Sequence, residues 1–146
     1  MTDQSVTRDR FKYWKTIEAR WGDMDAQGHV NNTVYFIYCE SARVELIRKT
    51  GYKGKQAGAA EGPALVSTSC DFKRQVVYPA MLDVGVRVER IGRRSFEMSY
   101  GIFVHGTEQL VATARSVNAW VEYAAERAVE LPDWFRAALA EYQKSE

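Results

Sequence analysis

Cysteine is nearly absent from this chain: Cys39 and Cys70 are the two in 146 residues, and they form no Cys-x-x-Cys pair. A disulfide framework is excluded, and a reducing, cytoplasmic setting is expected. Both thiols fall in apolar runs and are expected to be buried. Histidine is as scarce. His29 and His105 lie far apart and offer no metal-ligand spacing, which argues against zinc chemistry. No charge of one sign dominates either. A net charge of +1 gives no reason to expect nucleic acid or an anionic membrane as partner. No apolar run is long enough to span a bilayer. Met1 to Lys15 carries Asp3, Arg8, Asp9, Arg10, Lys12 and Lys15 and lacks the apolar stretch of a signal peptide. Internal repeats and low-complexity segments are also missing.

What remains is an ordinary globular composition, 46% hydrophobic and 27% charged, in a length that suits one domain over residues 1–146. Aromatics at 12% suggest a well-filled core or an oligomer contact. Residues 1–10 are polar and expected to be flexible. Tyr13 to Trp21 reads as a first strand. Asn31 or Asn32 can cap a helix running to about Thr50, with Gly51 as the glycine that follows its end. Tyr35, Cys39, Ala42 and Leu46 form one helical face, and Phe36, Ile37, Val44 and Ile47 are expected to widen it. Glu45 is placed to pair with Arg48 and Lys49 on the wet side. Residues 51–63 read as a loop.

Four runs of period two follow. Val66, Thr68, Cys70 and Phe72 alternate with polar residues, as do Leu82, Val84, Val86 and Val88. Phe96 to Val104 and Leu110 to Val117 repeat the pattern. Antiparallel strands with one covered face are expected. Pro79-Ala80-Met81, Gly92-Arg93-Arg94 and Gly106-Thr107-Glu108 suit hairpin turns. Leu131-Pro132-Asp133 opens a short last helix, with proline suited to its first position and Phe135, Ala138, Leu139 and Tyr142 along one side. The economical architecture is α+β, one antiparallel sheet wrapped around one apolar helix.

Chemistry concentrates in Arg20-Trp21-Gly22-Asp23-Met24-Asp25-Ala26-Gln27-Gly28-His29-Val30-Asn31-Asn32, just before the long helix. The first N–H groups of a helix have no partner inside it, and the helix dipole makes that end positive. A carbonyl placed there would be polarised, and a carboxylate beside it could attack it or activate water. The plain alternative is that Asp23 and Asp25 cap turns. An EF-hand reading fails, because the twelfth position of such a loop would be Val34 and no helix precedes it.

The segment resembles the Asp-x-Asp-x-x-Gly-His-Val-Asn-Asn signature of acyl-CoA thioesterases of the 4-hydroxybenzoyl-CoA thioesterase type. The resemblance spans roughly residues 13–140 and implies the hot-dog fold: a five-stranded antiparallel sheet around a long central helix, with a short C-terminal helix. It implies acyl-CoA as substrate, no cofactor and no metal. Asp25 takes the catalytic position, as nucleophile or general base, and the Asn32 N–H the oxyanion position. His29 could orient the thioester or merely bond the loop. Asn31 and Tyr35 would contact substrate. Arg93-Arg94-Ser95-Phe96 resembles the family's basic-Ser-Phe hairpin, which meets the CoA phosphates, and arginine's planar fork suits that task. The chain departs from the family at Gly92, where a basic residue is usual. Glu40 in Glu40-Ser41-Ala42-Arg43 accompanies the signature and is read as structural, paired with Arg43.

A homodimer or homotetramer is implied, with sites at the subunit interface. Three rival readings differ in what they require. A hot-dog hydratase would need Asn-Pro before its His, where this chain has Gln27-Gly28-His29. A DNA-binding acyl-CoA sensor would need more than the residues ahead of the first strand. A thioesterase for acyl-carrier protein differs only in surface charge. Acyl chain length and aryl or alkyl preference stay open.

Overall fold

The computed structural model describes residues 6–143. Their sheet contains β1 (Tyr13–Glu18), β2 (Glu61–Phe72), β3 (Met81–Ile91), β4 (Ser95–Val104), β5 (Leu110–Glu122) and a two-residue β6 (Arg127–Ala128). The helices are α1 (Asn32–Lys49) and α2 (Asp133–Ala140). The strand order is β1-β3-β4-β5-β2, with β6 against β5, and every pairing is antiparallel. This curled sheet around a central helix is the hot-dog arrangement. One register row crosses it from Tyr13 through Val86, Tyr100 and Ala114 to Cys70.

α1 starts and stops on local chemistry. The Asn31 side chain accepts from the Thr33 N–H at 2.8 Å, and Gly51 follows with φ 105°. Tyr35, Cys39, Ala42 and Leu46 are buried against the sheet, as the periodicity predicts. The wider apolar face is not buried: of the four added residues only Ile47 is, while Ile37 and Val44 are about half exposed. A sheet of this size covers one side of a helix and leaves the other open. Glu45 turns to Lys15 (3.0 Å) and to the Tyr13 hydroxyl instead of pairing along the helix.

Several boundaries move. The first strand ends at Glu18, because Trp21–Asp23 form a 3₁₀ turn. β2 begins at Glu61 and includes Pro63, which an edge strand tolerates. A bulge between Leu65 and Ser67 breaks its alternation, and on this edge strand Leu65, Val66 and Phe72 are exposed and Cys70 is half-buried. Pro79-Ala80-Met81 makes no hairpin: both sides of β3 are taken, by β1 and β4, so the chain after β2 must cross to reach it. Pro132 is the residue before α2, with extended ψ of 148°, and Asp133 is first in the helix.

The flexible start expected for residues 1–10 is only partly testable, because 1–5 lie outside the described residues. Arg8–Arg10 form a 3₁₀ turn over the outer face of the sheet. Phe11 then packs on Gly85 and Gly101, where a Cβ would come within 2.8 and 2.6 Å of its ring or Cβ; only glycine permits that approach. Arg8 pairs with buried Asp83 at 2.6 Å, and Asp83 also accepts from Thr16 Oγ1 (2.8 Å) and the Gly106 N–H (3.0 Å), with His105 Nδ1 at 2.8 Å. Burial pushes the Asp83 carboxyl up, but these partners outweigh it and hold it well below the usual carboxylate range. Its folded pKa is thus below its unfolded value of about 3.9, so its contribution is present above about pH 4 and lost as pH falls further. Asp83→Asn is expected to cost about 3 kcal/mol at pH 7. Urea titrations at pH 7, 5 and 3 should show that gap unchanged between pH 7 and 5 and beginning to narrow at pH 3. A gap independent of pH would refute the assignment.

Candidate active site

The loop between β1 and α1 is held by its backbone. Asp25 N–H donates to His29 O (3.0 Å), and Gly28 N–H returns to Asp25 O (3.1 Å), a closure that puts Gly28 at φ 89°. Met24 and Val30 bridge across it, and Val30 N–H reaches Val76 O at 2.8 Å. Asp25 and His29 are therefore neighbours immediately ahead of α1.

The two carboxylates live differently. Asp23 is 2% exposed. It accepts from the Arg20 N–H (2.9 Å), from Arg20 Nε and Nη2 (3.1 and 2.9 Å) and from the Tyr38 hydroxyl (2.7 Å). Burial pushes its carboxyl up, but those donors outweigh it and hold the group below its ordinary value. Every strong acceptor direction is taken, so Asp23 locks the loop onto α1. Asp25 is half-buried and accepts a single hydrogen bond among the described residues, from Gln27 N–H to Oδ1 at 2.8 Å. That bond is an ordinary Asx turn. It leaves Oδ2 open.

At the start of α1, Asn31 is spent on structure. Its side chain accepts from Thr33 N–H and Oγ1, and its own N–H donates to Asp23 O at 2.9 Å. Thr33 and Val34 N–H both return to Asn31. The Asn32 N–H has no acceptor among the described residues. Beside it lies a groove of about 210 Å³ walled by His29, Val30, Asn32, Tyr35 and the Phe72–Gln75 segment. Tyr35 packs edge-on to Phe72 with ring centroids 5.1 Å apart. His29 Nδ1 is 3.3 Å from Val30 O, a weak contact that leaves the ring facing the groove. Asp25 adjoins this groove across the Asp25–His29 backbone bond and does not line it.

The structure thus brings Asp25, His29, Asn31, Asn32 and Tyr35 together. It adds Phe72, Lys73, Arg74 and Gln75, which sequence reasoning missed. Their signal was the basic pair after the β2 pattern, but nothing local shows that β2 ends against the start of α1.

Arg93, Arg94 and Ser95 are elsewhere. Arg93 and Arg94 form the β3–β4 turn beside α2 and Ser95 opens β4, with Leu131 N–H on Arg93 O (3.0 Å) and Trp120 N–H on Arg94 O (2.8 Å). The Asp25 loop meets the opposite end of β3, where Ala19 N–H donates to Ala80 O. Eleven residues of strand separate the ends, about 33 Å at the usual rise. Arg93 is paired with Glu130 at 2.8 Å; both are exposed, so the pair is weak and displaceable. Arg94 is exposed and makes no side-chain hydrogen bond or ion pair among the described residues. Glu40 approaches Arg43 only to 4.0 Å, and Arg43 donates instead to buried Tyr100 at 3.2 Å. No group of three or more His, Cys, Asp or Glu among the described residues is arranged to hold a metal, and no described helix is long and apolar enough to cross a membrane.

Comparison with known proteins agrees with the fold. The PA5185 protein of Pseudomonas aeruginosa strain PAO1 is 31% identical, with TM-score 0.89 over 95% of this chain and 96% of that one. The PA2801 protein of Pseudomonas aeruginosa, a candidate thioesterase, is 34% identical, with TM-score 0.80 over 87% of this chain and 97% of that one. A 1,4-dihydroxy-2-naphthoyl-CoA thioesterase from Synechocystis shares the fold, with TM-score 0.80, 18% identity and coverage of 88% and 95%. The model of the thioesterase-like superfamily matches residues 19–139, from the loop ahead of Asp23 into α2, and the chain belongs to that superfamily.

Proposed function

We propose that this protein hydrolyses an acyl-CoA thioester to the free acid and CoA. One observation carries the reading: a carboxylate with an open oxygen, Asp25, stands in the short loop that leads into α1, and the unpaired first N–H of that helix, at Asn32, borders a groove. The thioester carbonyl oxygen accepts from that N–H, and the helix dipole favours the charge that develops on it. Asp25 either attacks the carbonyl carbon, giving a mixed anhydride that water then hydrolyses to the acid and free Asp25, or takes the proton of a water that attacks the carbonyl directly. CoA leaves as the thiolate and picks up a proton. His29 and Tyr35 shape the groove around the acyl group. No cofactor or metal enters the step, and two free thiols suit a reducing, cytoplasmic setting.

The protein acts as a homodimer or larger homo-oligomer. β2 ends the sheet with an unpaired edge, and Leu65, Val66 and Phe72 are exposed along it, as are Ile37 and Val44 on α1. Edges and apolar faces of that size are normally covered.

The test is thiol release across short, long, branched and aromatic acyl-CoAs, with enoyl-CoA hydration and acyl-carrier-protein thioesters run in parallel. Turnover confined to hydration, or to the carrier-protein substrate, would replace this reading. Arg93 and Arg94 are assigned to the CoA phosphates. Replacing both by Ala is expected to raise KM for acyl-CoA about tenfold or more, as loss of charge-assisted phosphate contacts does. Small thioesters lacking the nucleotide should be hydrolysed as before. An unchanged affinity for free CoA in that variant would remove the arginines from the site.

A further inference from the structure

A second pocket lies at the other end of α1, and the hydrolytic step makes no use of it. It measures about 480 Å³ and is walled by Tyr52, Lys53, Ala59, Trp120, Pro132 and Trp134 among others. Trp120 is buried and anchors one side, its indole N–H donating to Glu61 at 2.9 Å. Trp134 stands edge-on to it at 6.2 Å and remains 50% exposed. The wall contributed by residues 57–60 is made of Ala57, Gly58, Ala59 and Ala60. A Cβ at Gly58 would meet nothing within 4 Å, so the wall leaves a slot beside an accessible indole.

The rim of this slot carries two lysines. Lys53 belongs to the wall, and Lys55 sits 5.2 Å from the Tyr123 ring next to it. Neither lysine forms an ion pair among the described residues. The Arg93–Arg94 turn adjoins directly: Trp120 N–H is bonded to Arg94 O, and Leu131, next to Pro132, is bonded to Arg93 O. Glu61 also lines the pocket, its carboxylate held by the Trp120 indole N–H, and a flat aromatic face with unpaired lysines at its rim matches a base with phosphates attached. Stacking on an indole is open to any base, and the cations choose a phosphorylated one.

We infer that this pocket takes the adenine ring of the acyl-CoA nucleotide, stacked on Trp134, with Lys53 and Arg94 facing its phosphates. The inference rests on the acyl-CoA reading above. It assigns a binding role to α2 and to the 51–60 loop, which the reaction itself leaves idle.

The probe is adenosine 3′,5′-bisphosphate, titrated by calorimetry into the purified protein. Trp134→Ala is expected to weaken its binding about tenfold, the usual order for one lost stacking partner. Trp134→Phe should recover part of that loss. Lys53→Gln should weaken binding and flatten its salt dependence. In kinetics, Trp134→Ala should raise KM for acyl-CoA with little change in kcat, and should raise it far more than KM for the matching acyl-pantetheine. Equal bisphosphate affinity in wild type and Trp134→Ala, or no binding by wild type, overturns the subsite. A Trp134→Ala protein that dissociates in sedimentation while keeping its bisphosphate affinity also overturns it, and makes the pocket a contact with a second copy. The two readings fail separately. Trp134-dependent nucleotide binding without acyl-CoA hydrolysis leaves the pocket and removes the thioesterase. Hydrolysis with Trp134-independent binding does the reverse.

Discussion

Asp25→Asn is expected to lower kcat by about 100-fold or more, the scale of a positioned acid–base group, while the protein stays folded. The Asp25 carboxylate holds one hydrogen bond, from Gln27 N–H to Oδ1. An asparagine Oδ1 can keep that bond, so the turn survives and only the charge and the open oxygen change. Asp23→Asn should behave in the opposite way. Asp23 receives the Arg20 backbone, the Arg20 guanidinium and the buried Tyr38 hydroxyl. An amide there would turn a donor toward one of those donors and loosen the loop from α1, at an expected cost of about 3 kcal/mol. The pair of variants separates chemistry from architecture: one loses rate at normal melting temperature, the other loses melting temperature first. Near-normal kcat in a folded Asp25→Asn protein would end the assignment of Asp25.

The contrast between these two aspartates shows where sequence reading stops. Asp-x-Asp ahead of a capped helix marks the loop, because Asn31, Gly51 and the Tyr35–Leu46 spacing are local signals. The alternation in β3 and β4 is local too, and both strands form where it predicts. What separates the two aspartates is not local: one is buried under α1 and the other is half-buried. Asp23 is tied down by Tyr38, fifteen positions on, and nothing in the spacing separates it from Asp25. The same limit hid the path after β2. Pro79 and Ala80 look like a turn, yet which strands a turn joins depends on who pairs with β3. It also hid the anchor of the first residues. Arg8 reads as one more charge on a polar end until Asp83, on the third strand in the sequence, proves to be its partner. The arginine tip was legible as a basic turn, whereas its pairing with Glu130 and its distance from Asp25 were not.

That distance motivates the remaining large effect. Within one chain the Arg93–Arg94 turn and the Asp25 loop occupy opposite ends of β3, about 33 Å apart by strand length. A partner copy seated against the open β2 edge and the exposed Ile37 and Val44 could bring its own turn to this loop. Mixing two crippled proteins tests the idea. Asp25→Asn subunits keep their arginines, and Arg93→Ala/Arg94→Ala subunits keep their aspartate. If each site draws on both chains, a mixed dimer has one intact site and one doubly defective site. Random exchange makes about half the dimers mixed, so at low substrate about a quarter of wild-type activity should return in a two-fold assembly. If both groups come from the same chain, no intact site forms and activity stays at the sum of the parents. Verified mixed dimers without recovery, or a monomer with full turnover in sedimentation, would refute the shared site. Recovery would also explain why α1 carries an apolar face that its own sheet leaves uncovered.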